Sequence, residues 1–198
     1  MANRIAWSLL LGCLIASAAA ALGAKLVGPT LAAQRLVEAA EQEGARFPRG
    51  NPQAPPPTFG SMGTAERKCV EFPPNVDSKW AFHHPVSRRS GEFETGALIS
   101  ALKAGQPGKV WWNPLHNPQP AKAALIVRGT RLDQPEITSR FVSSRIGWPV
   151  LEDGRGHAEY AFYPTGFSLP SAGRWLLIAT SANDWGCFIV TVQKPSEN

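Results

Sequence analysis

No short motif in this chain carries a recognisable chemistry. There is no Cys-x-x-Cys pair, no His-Glu-x-x-His and no glycine-rich phosphate loop, and Gly166-Phe167-Ser168 is followed by Leu-Pro where a nucleophile elbow needs x-Gly. These absences argue against dithiol redox, zinc-protease, nucleotide and serine-hydrolase chemistry. Of the histidines, adjacent His83 and His84 would point to opposite faces of an extended segment, so they cannot share one ion, and His116 and His157 stand apart. Cys187 is followed by Phe-Ile-Val-Thr-Val with no His or Met, which leaves a cupredoxin-like copper site without its remaining ligands. Neither a metal nor a cofactor is expected. Glu92 with Glu94, and Glu152 with Asp153, read as solvated loop carboxylates in place of a glycosidase pair. Internal repeats and heptads are lacking too. The net charge of +5 is scattered, with only short clusters such as Arg88-Arg89, so a nucleic-acid partner is not expected and mild attraction to an anionic envelope surface is the most it supports.

What is present points to many short elements. Eighteen glycines and eighteen prolines favour strands joined by turns over a helical bundle, and 43% hydrophobic residues suffice for one sizeable core. The clearest strands close the chain. In Gly173 to Ser181, Trp175, Leu177 and Ala179 alternate with Leu176, Ile178 and Thr180, and after the turn residues Ser181 to Asp184 the alternation resumes from Trp185 to Gln193. Further strands are expected at Lys79 to Phe82, Ala97 to Leu102, Lys109 to Trp112, Ala123 to Arg131, Ile137 to Ser143 and His157 to Tyr163, separated by turn clusters such as Asn113-Pro114 and Asp153-Gly154. The fold class that follows is all-β: an immunoglobulin-like antiparallel sandwich of about seven to eight strands over residues 64–198.

Residues 1–24 read as a signal peptide or a membrane anchor. Arg4 precedes an uncharged run from Ile5 to Ala24, Leu-rich at its centre and ending in small residues as a cleavable leader does, yet long enough to span a bilayer. Leu10-Leu11-Gly12-Cys13 also looks like a lipobox, in which Cys13 would be acylated. Over residues 25–63, Thr30 to Glu43 forms a short helix ended by Gly44. Its thin apolar side (Leu31, Leu36, Val37, Ala40) suits a stalk better than a core, and a Pro-rich linker follows from Phe47 to Gly63. The chain is thus expected to be exported, to the periplasm or cell surface, and held in the cytoplasmic membrane if its leader is uncleaved.

Lys109-Val-Trp-Trp112, Gly129-Thr-Arg-Leu-Asp133, Pro164 to Trp175 and the terminal Cys-Phe-Ile-Val-Thr-Val192 together resemble a loose group of uncharacterised bacterial envelope proteins. Those look like exported immunoglobulin-like sandwiches, often lipoproteins. The resemblance covers roughly the last 90 residues and implies a fold but no activity, because its motifs serve packing. Many members have Cys directly before the late Trp, where this chain has Arg174.

Two side-chain groups stand out. Cys69 and Cys187 would meet an oxidising compartment after export and are expected to form a disulfide. Trp111-Trp112 sits on a strand whose neighbours face opposite ways, so only one ring enters the core. With Trp112 turned outward beside Asn113, His116 and Asn117, the site would stack a sugar ring or anchor a protein. Function reads as a non-catalytic envelope interaction domain contacting an unidentified envelope protein or polysaccharide. A glycan-binding or glycan-cleaving module is the alternative.

Overall fold

The computed structural model describes residues 29–49, 66–72, 86–97, 102–115, 123–148 and 161–195. The apolar leader, most of the Pro-rich linker, His116, Asn117 and the strand expected at 79–82 lie outside the described residues. Among the described residues no helix is long and apolar enough to cross a membrane.

One helix, α1 (Pro29–Arg46), precedes ten strands: β1 (Cys69–Glu71), β2 (Val86–Ser90), β3 (Phe93–Ala97), β4 (Leu102–Lys103), β5 (Gly108–Pro114), β6 (Leu125–Arg131), β7 (Thr138–Ser143), β8 (Tyr163–Phe167), β9 (Gly173–Ser181) and β10 (Asp184–Gln193). They form two sheets. The larger has the order β1-β10-β9-β6-β7 with β4 also on β10, and the smaller has β2-β3-β5-β8. Their inner faces enclose Phe93, Trp112, Leu125, Val127, Tyr163, Phe167, Trp175, Leu177, Phe188 and Val190, all of them buried. Trp112 meets Phe167 and Phe188 edge-on at centroid distances of 6.1 and 5.8 Å, a geometry that aligns ring edges with ring faces. The architecture is therefore a two-layer β-sandwich.

Both faces of β9 are buried, which explains its near-continuous apolar run. The second face is covered by α1: Ala40, Leu176, Ile178, Trp185, Cys187 and Ile189 form a second apolar cluster, with Ala33, Leu36, Val37 and Phe47 of the helix segment packed on it. The expectation of a free stalk is corrected here. A thin apolar stripe is enough because small residues bring the helix close. A Cβ on Gly44 would stand 2.7 Å from the Trp185 ring, so that glycine serves contact within the helix, which continues to Arg46, and does not end it.

Three further departures have physical reasons. The sheet is not purely antiparallel, since β1 and β4 both pair in parallel with the outer edge of β10. A β2–β3 hairpin, absent from the expected strands, turns through Gly91 and Glu92, with Gly91 at φ +54° as the first central residue of a tight hairpin turn prefers. Of the strand expected from His157 to Tyr163, residues 157–160 lie outside the described residues, and β8 runs from Tyr163 to Phe167. It can hold Pro164 because β8 lies at the edge of its sheet.

The β9–β10 turn carries Ala182 at φ 49°, in the left-handed region that disfavours a side chain. Ala182→Gly is expected to raise stability by about 0.4–1 kcal/mol, the relief of strain outweighing the extra unfolded-state entropy of glycine. A urea midpoint unchanged or lowered in the variant would contradict this.

Candidate functional site

The two tryptophans of β5 take the opposite roles from those expected. Trp112 is 1% exposed and lies in the core, where its indole Nε1 donates to Thr165 Oγ1 at 3.2 Å. The reading of Trp112 as the outward ring is thereby corrected: β5 alternates, and Phe93 and Tyr163 fix which face is inner. Asn113 is 6% exposed, and its amide, oriented to satisfy both ends, donates to Ala161 O at 3.1 Å. Trp111 is the half-buried member. Its ring lies over Gly96, its in-register partner on β3, where a Cβ would collide with Cζ2. Of the four residues proposed from sequence, then, two are buried and two, His116 and Asn117, fall outside the described residues.

Cys69 and Cys187 are joined by a disulfide across 118 residues. They stand opposite each other in the parallel β1–β10 ladder, so the bond lies within one sheet, on the face that α1 covers. Cys187 is fully buried.

Sequence reasoning missed the polar cluster beside that bond. Arg67, 8% exposed, reaches the end of α1 and uses all five N–H donors. Nη1 donates to Gly44 O at 2.7 Å and to Phe47 O at 2.5 Å, Nη2 to Pro48 O at 3.0 Å, and Nε to the Glu92 carboxylate at 2.9 and 3.0 Å. Nη2 also pairs with Glu92 Oε2 at 2.9 Å. Glu92 in turn accepts the Trp185 amide at 3.3 Å. The guanidinium thus serves as a cation at a helix C-terminus, where the orphan carbonyls and the dipole favour one. Nearby, Ser90 Oγ donates to Lys68 O at 2.5 Å and accepts the Cys187 amide at 2.9 Å, tying β2 to both strands of the disulfide. The Trp185 indole N–H has no partner among the described residues.

Outside this junction, an open groove of about 630 Å³ runs between α1 and the approach to β1, lined by Glu38, Glu41, Arg49, Glu66 and Lys68 among others. Its charges answer one another: Glu41 accepts the Cys69 amide at 3.1 Å and Lys68 Nζ at 3.3 Å. Burial holds the Arg89 guanidinium below its usual range against the opposing pull of Glu94 and Glu92. Burial also pushes the Tyr163 phenol upward, although its contact with Ser181 Oγ at 2.8 Å works the other way. Among the described residues no group of His, Cys, Asp or Glu converges as metal ligands would. The interactions these described residues make are cross-linking, capping and contact.

No family model matches the chain, and no curated protein does. A solved structure described as a "Putative Lipoprotein from Bacillus anthracis" is 14% identical, with 72% of this chain and 100% of that one aligned at a TM-score of 0.35. That likeness is too slight to carry an argument.

Proposed function

We propose that this chain is an exported protein of the cell envelope whose sandwich acts without catalysis, as an immunoglobulin-like module that meets a partner by surface contact. The observation that carries this reading is the Cys69–Cys187 disulfide, buried beneath α1 and closing most of the body into one loop. Bonds of this kind persist in oxidising compartments and are rare where thiols are kept reduced. The uncharged run from Ile5 to Ala24 supports the same location. The immunoglobulin-like assignment draws support from the two-sheet layering and the buried Trp112, and departs from that pattern in having its bond within one sheet.

Intact-mass measurement of the protein purified from its native host tests the reading. An exported chain shows the mass of the disulfide form, and its N-terminal mass tells cleavage, retention and acylation of Cys13 apart. Recovery of the fully reduced chain from the cytoplasmic fraction would overturn the proposal. The glycan-binding alternative keeps one foothold, the Trp111 ring lying on Gly96 at the outer face of the smaller sheet. Retention on peptidoglycan that Trp111→Ala abolishes would favour it.

A further inference from the structure

We infer that the open edge of β7 is a strand-addition site for an extended, acidic segment of a partner protein. This rests on the proposed reading of the chain as an interaction module and names the surface that would do the work. No described strand pairs with the outer edge of β7, which ends the larger sheet. Arg131 N–H donates to Ile137 O at 3.0 Å across the β6–β7 ladder, so the odd-numbered residues of β7 exchange hydrogen bonds with β6. By the alternation of an antiparallel pair, Thr138, Arg140 and Val142 then turn their N–H and C=O groups outward. The side chains of these same three residues are exposed. A row of unpaired backbone groups is what an incoming strand binds.

The side chains say what kind of strand it is. Arg128 and Arg140 are directly opposed on the outer face, and like charges in that arrangement repel. Glu43 of α1 ion-pairs with Arg128, whereas Arg140 makes no ion pair among the described residues. A carboxylate on an added strand opposite Arg140 would do for it what Glu43 does for Arg128. Arg140 alone would only guard an edge against self-pairing, but its apolar neighbour goes further. Of the three large apolar side chains exposed among the described residues, Val142, at 48%, is on this edge. The partner segment is thus extended, with an acidic residue facing Arg140 and an apolar one two positions along facing Val142.

The test uses the full disulfide-bonded chain and an end-blocked heptapeptide, Thr-Asp-Thr-Val-Thr-Asp-Thr, whose valine and aspartates lie two positions apart on one face, titrated by calorimetry at low salt. Saturable binding is expected, weakened about tenfold or more by Arg140→Glu and by Val142→Pro. The proline removes only an outward N–H and leaves the β6 ladder intact. A peptide with lysine for aspartate, or one N-methylated at alternate amides, should not bind. No saturation by about 1 mM peptide, or equal affinity for wild type and Arg140→Glu, overturns the inference. If Val142→Pro fails to fold by circular dichroism, Arg140→Glu and the N-methylated peptide decide alone. Failure here leaves the envelope location standing, because that is judged by the fraction and mass of the native protein.

Discussion

Replacing Arg67 with alanine is expected to remove about 3–5 kcal/mol of stability, the range seen when one partner of a buried ion pair is deleted. The loss has two parts. Glu92, with its side chain 14% exposed, keeps its charge but loses the guanidinium, and the carbonyls of Gly44, Phe47 and Pro48 lose their donor at the end of α1. Arg67→Lys should recover little, since an ammonium has three donors and no planar fork. The double variant Arg67→Met/Glu92→Met separates the parts: it removes the stranded charge and leaves the three carbonyls without Arg67 and the Trp185 amide without Glu92. Urea denaturation gives the energies, and amide exchange along α1 should quicken more than exchange along β9. A midpoint for Arg67→Ala within error of wild type would show that the cluster stabilises nothing.

Loss of the disulfide should cost a comparable amount, about 2–5 kcal/mol. Closing a loop of 118 residues is worth about 5 kcal/mol in the chain-entropy picture, which is an upper figure because the unfolded chain keeps some structure. The structure adds a local reason. β1 is three residues long and pairs in parallel, so without the bond it has little to hold it on β10. Reductant should shift the wild-type midpoint and leave a Cys69→Ala/Cys187→Ala variant unmoved. Identical curves for wild type with and without reductant would count against any stabilising role.

Where the physics of the fold is local, it can be read from the residues. The β9–β10 hairpin announces itself because Trp175, Leu177, Phe188 and Val190 alternate with residues that also need cover, and four polar or small residues separate the runs. Where the physics is relational, it cannot. Arg67 finds its partners 19 to 25 residues away on both sides, and nothing in Glu66-Arg67-Lys68 marks it as other than a surface charge. α1 looked like a stalk because its hold on the sheet comes from Ala40 and Gly44, which act by what they omit. A two-residue period tells that Trp111 and Trp112 part company but not which way each goes. That was settled by Phe93 and Tyr163 on one side and by the space over Gly96 on the other. The β2–β3 hairpin is hidden because its first strand, Val86–Ser90, is mostly polar and its turn is only the two residues Gly91 and Glu92.

β10 is the hub of this molecule: it pairs with β1, β4 and β9 and lies against α1, β2 and β3, yet it follows every one of them in the chain. A ribosome delivers it after all of these. Until it emerges, β1 and β4 have no ladder to join, the β2–β3 turn has nothing to rest on, and α1 lacks half of its bed. Contacts spanning so much sequence form slowly, since the entropy of closing long loops is spent before any of them is rewarded. The segments that need β10 therefore stay unpaired until it is made, the open condition that the export proposed above would ask of them.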